Sequence, residues 1–319
     1  MKKKLTYLVL TLFGAVLLIA GCGKSGNSAN EEDSGKLKVV TTFYPMYDFT
    51  KNVAQENAVV SLLVPAGTEV HDFEPSAKMI AQIENADVFV YNSDEMETWV
   101  PSVLKSIDTS KTVIVNASEG IDLIHNEADA DEHDEEHEHE GEEHSHAVDP
   151  HVWLDPVLAQ AEVTNIQKGL AEADPDNSDA YAANAETYQQ KLEDLNQEFV
   201  SAFENATKRS FVTQHAAFAY LAKRYDLTQI SVSGLSSDAE PSPAKLAELS
   251  DFVTENKVDY IYFEDNASSK IAETLADEVD VELLVLSPIE GVTQKEQDAG
   301  IDYIHVMQDN LNALKKSIQ

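Results

Sequence analysis

The side chains best suited to chemistry in this sequence are histidines. Five of the ten lie in the acid-rich stretch 126–146, and five lie elsewhere. Among the latter, His71, His151 and His215 stand in loops that follow strand-like stretches. Three neutral imidazoles form a good zinc-binding set, and one carboxylate can complete a tetrahedron. A single loop histidine is usually structural, but three at equivalent positions favour a metal site.

Several carboxylates could supply the fourth ligand, and the pattern alone does not choose between them. Four candidates stand near predicted strand ends: Glu69, Glu264, Asp265 and Glu290. Each could equally be a surface acid or a helix cap. Asp149 and Asp155 flank His151, and we expect them to orient its ring by hydrogen bonding. Because protons compete with zinc for imidazoles, we expect the affinity for zinc to fall below about pH 6.

The elements that must position these residues alternate between strands and helices. Apolar stretches rich in β-branched and aromatic residues predict eight strands: 37–43, 59–64, 88–91, 112–115, 211–213, 230–232, 260–263 and 283–286. Pro45 and Pro156 are expected to open helices, and Pro75 is expected in the first turn of another. Strands separated by helices predict parallel sheets, which bind ligands at the carboxyl ends of their strands.

One helix is predicted to be much longer than the others. Between Tyr181 and Phe203 apolar residues recur at spacings of three and four, which gives a single apolar stripe. We therefore expect a linking helix over 177–208 between an α/β lobe at 37–176 and a second α/β lobe at 209–319. A cleft between the lobes would bring the three histidines together.

The charge balance excludes several classes of protein. The 319 residues include 22 Lys and Arg against 58 Asp and Glu, a formal net charge of −36. A chain this acidic does not suit nucleic acid or an anionic membrane surface. The single cysteine excludes an intrachain disulfide and any zinc site that needs two or more cysteines.

That cysteine, Cys22, belongs to a targeting segment. A basic start, Met1 to Lys4, precedes an apolar run from Leu5 to Ala20, and small residues lead to Cys22. The pattern predicts a lipoprotein signal peptide over 1–21, a lipidated Cys22 and a flexible tether over 22–36. A plain secretory signal or an uncleaved anchor is the alternative. With the lipid attached, we expect the protein to be anchored on the extracytoplasmic face of the cell membrane.

The stretch 126–146 interrupts the alternation of strands and helices. It contains 11 acidic residues and 5 histidines, and it has no Lys, Arg or large apolar side chain. Such a stretch cannot bury a core, so we predict a disordered loop. An additional role as a low-affinity zinc collector would use its histidines: His133, His137, His139, His144 and His146. His125 and His305 are assigned no metal role.

Six motifs carry a resemblance to a known family: TFYPMY at 42–47, HDFEP at 71–75, DPHVWLDP at 149–156, TQHAAF at 213–218, GLSSDAEPS at 234–242 and SPIEG at 287–291. With these motifs the chain resembles the metal-binding lipoproteins of bacterial ABC transporters for zinc and manganese, most closely the high-affinity zinc-uptake branch. Together the motifs span the predicted mature domain, which makes the resemblance specific.

The resemblance implies two Rossmann-like lobes of mainly parallel sheet joined by a long rigid helix, with Zn²⁺ bound in the cleft. It assigns ligand roles to His71, His151 and His215 and favours Glu290 as the fourth ligand. Manganese members replace the third histidine with a carboxylate, so a histidine at 215 favours zinc. It implies delivery of zinc by a monomer to an ABC permease and its ATPase, without catalysis.

The resemblance also bears on the acidic stretch. Some members of the family carry an additional zinc-binding domain, whereas this sequence ends at Gln319. We therefore expect any hand-off of metal within the chain to involve the acidic loop.

The sequence is also compatible with two other functions. A zinc hydrolase could use three histidines with one acid as general base, although the sequence contains neither an HExxH nor a serine-nucleophile motif. A surface adhesin has been proposed for relatives of this family, and the sequence contains no feature that separates adhesin from carrier.

Overall fold

The computed structural model describes residues 35–126, 147–235, 243–256, 258–264 and 270–319. The predictions about the signal peptide, Cys22, the tether, Asp265 and the five histidines of the acidic stretch therefore lie outside the described residues. Lys36–Gln319 forms one compact unit. Among the helices in the described ranges, none combines the length and the apolar character needed to cross a bilayer.

The first lobe is built on a four-stranded parallel sheet. Its strands are β1 Leu37–Thr41, β2 Ala58–Leu62, β3 Val88–Tyr91 and β4 Val113–Asn116, arranged in the order β2-β1-β3-β4. The helices between them are α1 Tyr44–Ala54, α2 Ala77–Glu84 and α3 Val100–Ser106. Pro45 lies in the first turn of α1, as predicted. Pro75 instead precedes α2, because Ser76 caps that helix by accepting a hydrogen bond from the Met79 N–H.

A small antiparallel hairpin follows the first sheet. It pairs β5 Ile124–Asn126 with β6 Ala147–Asp149. The three-residue strands are too short to show the alternation that predicts a strand, so the sequence analysis missed them. The exposed His125 lies in β5. The hairpin closes the base of the acidic stretch and delivers the chain to His151.

Two helices lead from the first lobe to the second. Helix α4 spans Pro156–Ala173, and Asp155 caps it by accepting from the Val157 N–H at 2.8 Å. Helix α5 spans Ser178–Phe203, a little shorter than the predicted 177–208, and its apolar stripe is buried as predicted. This long helix joins the two lobes.

The second lobe repeats the topology of the first. Its parallel strands are β7 Ser210–Thr213, β8 Thr228–Ser231, β9 Tyr260–Phe263 and β10 Glu282–Val285, arranged in the order β10-β9-β7-β8. Its helices are α6 Ala219–Arg224, α7 Pro243–Asn256, α8 Lys270–Val279, α9 Gln294–Asp298 and α10 Tyr303–Ser317. In both sheets the first strand lies between the second and the third. The chain therefore leaves the first and third strands in opposite directions, and a crevice opens between their carboxyl ends.

One hydrophobic core runs through both lobes. Phe49 of α1, Tyr181 of α5 and Tyr303 of α10 are all buried in it. The Phe49 and Tyr303 rings meet edge to face with their centroids 4.9 Å apart. Because this cluster joins helices of both lobes, the lobes are held together by apolar packing and not only by the connecting helix.

Candidate metal-binding site

Four side chains that are far apart in sequence converge between the lobes. His71 and His151 come from the first lobe, and His215 and Glu290 come from the second; their ligand atoms all lie within 4.8 Å of one another. His151 Nε2 lies 3.2 Å from His71 Nε2 and 3.4 Å from His215 Nε2. Glu290 Oε1 lies 3.6, 3.7 and 3.8 Å from the three Nε2 atoms.

These five separations, 3.2–3.8 Å, are close to the edges of a zinc tetrahedron. Bonds of about 2.0–2.1 Å from a central ion place tetrahedral ligand atoms roughly 3.3 Å apart. The Glu290 Oε1 atom is buried and has no hydrogen-bond partner among the described residues. A buried oxygen without a partner, facing three imidazole nitrogens, fits a site shaped to hold a cation.

The opposite edges of two rings face carboxylates. His151 Nδ1 lies 2.8 Å from Asp149 Oδ1, and His215 Nδ1 contacts Glu264 Oε1. A carboxylate that accepts from Nδ1–H leaves the lone pair of Nε2 free to point at the ion. Both rings are therefore oriented with Nε2 towards the cluster, and in the neutral form each would present the Nε2 lone pair to the ion.

The four side chains of the cluster differ in their exposure to solvent. The side chains of His151 and His215 are 0% exposed and that of Glu290 is 2% exposed, whereas that of His71 is 13% exposed. Solvent therefore reaches the cluster beside His71, and an ion would enter and leave on that side.

The electrostatics favour an ionised Glu290 carboxylate beside a cationic His151. Burial opposes the charge on His151, but the Asp149 and Glu290 carboxylates outweigh it and raise the pKa of His151 to about 9. Burial likewise opposes ionisation of Glu290, yet the facing His151, His71 and His215 rings hold its pKa below the usual range. Burial raises the pKa of Glu264, against the lowering effect of its bond to His215.

The segment before His151 is fixed from inside the first lobe. The Asn92 side chain donates to the Pro150 carbonyl at 2.9 Å. Asn92 in turn donates its backbone N–H to the buried Glu97 carboxylate, which also accepts from Thr42 Oγ1. Glu97 thereby ties together the ends of β1 and β3, at the crevice of the first sheet. Burial raises the pKa of Glu97 to about 7, although these hydrogen bonds lower it.

The positions of His71 and His215 follow from the strands that precede them. His71 lies in the loop after β2, where its N–H donates to Glu69 Oε1 at 3.1 Å. His215 lies two residues after β7, and its carbonyl accepts from Thr213 Oγ1 at 2.7 Å. Glu264 directly follows β9, the neighbour of β7 in the sheet. The carboxyl end of the second sheet thus supplies both His215 and its hydrogen-bond partner.

Glu290 is presented by a loop in an unusual conformation. Ser287 donates its N–H to Asn310 Oδ1 at 2.8 Å and accepts from Asn310 Nδ2 at 2.7 Å. The first lobe holds the next residue, because Trp153 Nε1 donates to the Pro288 carbonyl at 2.8 Å. Ile289 then adopts a φ of 61°, which is strained for a β-branched residue. These bonds enforce the turn that aims Glu290 at the histidines.

The two ligand loops touch beside Glu290. A Cβ atom placed on Gly291 would lie 3.1 Å from Ala66 Cα and 3.4 Å from Ala66 Cβ. Ala66 belongs to the loop that carries His71. Gly291 therefore allows the loop from the second lobe to approach the loop from the first lobe.

Two other residues considered in the sequence analysis, Asp155 and His305, make their contacts outside the cluster. Asp155 does not contact His151; it caps α4 and pairs with Arg224, whose Nε lies 2.7 Å from Asp155 Oδ2. The expectation that Asp155 orients His151 was wrong, whereas Asp149 contacts that ring. His305 is exposed and bonds to Asp302 within α10. The hydrogen bonds from Trp153 and Asn310 had no signal in the sequence, because they depend on contacts distant along the chain.

Comparisons with known proteins are consistent with this geometry. A family model described as zinc-uptake complex component A, periplasmic (ZnuA), matches residues 39–317. The high-affinity zinc uptake system protein ZnuA of Bacillus subtilis is 52% identical over 303 residues, which are 95% of this chain and 94% of that protein. The zinc-binding protein AdcA of Streptococcus pyogenes serotype M3 is 49% identical over 287 residues, which are 88% of this chain. The chain spans 56% of the length of that streptococcal relative.

Solved structures share the fold over most of the chain. The Zn(II)-bound ZnuA-like domain of Streptococcus pneumoniae AdcA has a TM-score of 0.75 at 45% identity, covering 89% of this chain and 99% of that one. The laminin binding protein Lmb of Streptococcus agalactiae, called bifunctional with adhesin and metal transporting activity, has a TM-score of 0.76 at 36% identity, covering 89% of this chain and 100% of that one. The chain therefore belongs to the ZnuA family of periplasmic zinc-uptake components.

Proposed function

We propose that this protein captures Zn²⁺ outside the cytoplasm and delivers it to an ABC-type permease and, through the permease, to its ATPase. The ligands are His71, His151, His215 and Glu290. The observation that carries this proposal is the convergence of their four donor atoms to within 4.8 Å of one another. The relatives' roles in zinc uptake and zinc binding support it.

The site suits a carrier better than a hydrolase. Four protein ligands complete a tetrahedron and leave no open position at which zinc could activate water. Three imidazoles with one carboxylate also suit Zn²⁺ better than Mn²⁺, which prefers more oxygen. The protein therefore binds and releases the ion without chemical change to it, and we propose that it does so as a monomer.

A pair of histidine variants tests the ligand assignment. In His215→Ala a buried imidazole of the cluster is lost, whereas in His305→Ala an exposed one on α10 is lost. Competition with a chromophoric zinc chelator should show more than about a hundredfold loss of affinity in the first variant, since losing an outer hydrogen-bond partner alone costs about 10–100-fold. The second variant should match the wild type. Equal affinity in both variants would refute the assignment.

The location follows from the amino-terminal sequence. Residues 1–21 act as a signal peptide, the Cys22 thiol receives the lipid, and 22–36 tether the lobes 37–176 and 209–319, with the segment 177–208 that contains α5 between them. Labelled palmitate should enter the membrane-bound protein and be absent from Cys22→Ser. Equal labelling of both would contradict this assignment.

The acidic stretch is proposed to gather zinc at low affinity through His133, His137, His139, His144 and His146. Replacing 127–146 with a short turn keeps β5 and β6. The replacement should leave the affinity of the cleft site unchanged and slow zinc uptake by cells in zinc-poor medium. Loss of tight binding in the purified variant would show that the acidic stretch contributes to the cleft site itself, which would contradict its proposed role as a separate low-affinity collector.

Adhesion is a second candidate function, favoured by the structural similarity to Lmb. Binding of the purified protein to immobilised laminin, with and without zinc, tests it. Saturable binding would add adhesion to the zinc role, and binding no greater than to immobilised albumin would eliminate it.

A further inference from the structure

Tyr220 makes a contact between the lobes that the zinc-capture role does not by itself explain. It lies on α6 of the second lobe and is 3% exposed. Its hydroxyl accepts a hydrogen bond from the Ile124 N–H at 2.8 Å and donates one to the Asp149 carbonyl at 2.6 Å. Ile124 and Asp149 are paired across the β5–β6 hairpin. One hydroxyl therefore holds both strands at the base of that hairpin.

Strand β6, to which the Tyr220 hydroxyl is hydrogen-bonded, leads directly to the ligand His151. The Asp149 carboxylate accepts from both the backbone N–H and the Nδ1 of His151, at 2.9 and 2.8 Å. Asp149 is fully buried, and so is His151. A displacement of the Asp149 backbone would therefore turn the His151 ring, because the same residue supplies the ring's hydrogen-bond acceptor.

Tyr220 is also close in sequence to the other buried histidine, His215. It follows His215 by five residues, and the intervening Ala217 and Phe218 are buried. The segment that presents His215 thus also carries the hydroxyl that holds Asp149. Ligands from opposite lobes are connected through one short path of buried groups.

We propose that Tyr220 is a positioning residue for zinc binding, whose hydroxyl couples the orientation of His151 in the first lobe to the segment of His215 in the second. This inference rests on the proposed function and adds a residue outside the ligand set. In the structure both imidazoles face the same point. If the two lobes shift relative to each other, the hydrogen bond from Tyr220 to the Asp149 carbonyl is the link through which His151 turns away.

The hydroxyl, not the ring, is the part that the proposal requires. Burial raises the pKa of Tyr220, so the hydroxyl keeps its proton and remains a donor to the Asp149 carbonyl. The Tyr220 ring would pack equally well without it. Tyr220→Phe therefore removes the link and leaves the packing of α6 in place.

Tyr225 supplies a matched control on the same segment. It directly follows α6, is buried, and donates its hydroxyl hydrogen bond to Asn196 Oδ1 at 3.1 Å, away from the cluster. Tyr220→Phe and Tyr225→Phe each remove one buried hydroxyl. A merely structural role predicts the same zinc binding for both variants, and a positioning role predicts a difference.

The experiment measures zinc release from the full chain by stopped flow with an excess of chelator, together with the visible absorption of the Co²⁺-loaded protein. We expect Tyr220→Phe to bind zinc about tenfold more weakly through faster release, in line with the loss of other groups that orient metal ligands, and to alter the Co²⁺ spectrum. Tyr225→Phe should stay within twofold of the wild type. Release rates and spectra that agree between the two variants would overturn the inference.

A second measurement uses the unmodified protein, so it does not depend on either variant folding. If Tyr220 couples the ligands, zinc should slow hydrogen exchange at the Ile124 amide at least tenfold. Exchange within twofold with and without zinc would overturn the coupling. Failure of the wild type to bind zinc would instead refute the proposed function, so the two failures are distinguishable.

Discussion

At the scale of single residues, the main feature is the pairing of each buried imidazole with a buried acid. Asp149 and Glu264 hold the Nδ1 edges of His151 and His215, so both Nε2 atoms face the cluster. The sequence could place three histidines at the carboxyl edges of the strands. It could not separate Glu264 from Glu290, because which of the two faces Nε2 depends on the path of the loop after β10.

Glu264→Gln should weaken zinc binding by about 10–100-fold, because a neutral amide no longer supports the cationic His215–zinc unit. Glu282→Gln is the matched control, since Glu282 is exposed at the start of the adjacent strand. Zinc titration of both variants checks the result. An unchanged affinity in Glu264→Gln would mean that the contact with His215 does not contribute to binding.

The affinity for zinc should depend on pH at values well above the ordinary pKa of histidine. A pKa of about 9 means that His151 is protonated at neutral pH before zinc binds. Zinc must then displace that proton, so the apparent affinity should rise about tenfold for each pH unit from 7 towards 9 and level off above 9. Titrations between pH 6.5 and 10 measure this slope. A constant affinity between pH 7 and 9 would contradict the charge environment of His151.

At the scale of elements, the strands were predictable because each is a compact apolar run followed by a turn. All eight predicted sheet strands occur, with ends that differ by at most two residues. The hairpin of β5 and β6 was missed because its strands are three residues long. Its contact with Tyr220 comes from the second lobe, so no local pattern could have revealed it.

The loop that carries Glu290 should be sensitive to added volume. Gly291→Ala would place a methyl group 3.1 Å from Ala66 Cα and push the loops of Glu290 and His71 apart. We expect a loss of about 1–3 kcal/mol in the free energy of unfolding and a several-fold loss of zinc affinity. Chemical denaturation and zinc titration measure the two effects.

Gly234→Ala is the control for that substitution, since a Cβ at Gly234 would meet nothing within 4 Å. It should leave both quantities close to the wild-type values. If both glycine variants behave alike, the close approach at Ala66 does not matter for binding.

At the scale of the whole molecule, two lobes of the same strand order share one large apolar cluster, and each lobe also has a smaller cluster of its own. Phe43 of the first lobe packs edge to face on Trp153, whose indole N–H in turn bonds to Pro288 of the second. Sequence periodicity predicted the lobes and the long helix. It did not predict this shared packing, because contacts between lobes leave no periodic pattern in either one.

Zinc should therefore stabilise the chain as one cooperative unit. A ligand at 100 times its Kd adds about 2.7 kcal/mol to the stability of the folded state. For a chain of this size, that corresponds to a rise of about 5 °C in Tm. Calorimetry should show one transition that moves with zinc in the wild type and does not move in His215→Ala. Two transitions, of which zinc moves only one, would show that the lobes unfold separately.

The most direct test of the zinc site is anomalous diffraction at the zinc absorption edge from crystals of the zinc-loaded protein. We predict a single strong peak in the cleft, about 2.0–2.1 Å from the Nε2 atoms of His71, His151 and His215 and from a Glu290 carboxylate oxygen. A peak elsewhere, or one bound to fewer than three of these imidazoles, would contradict it.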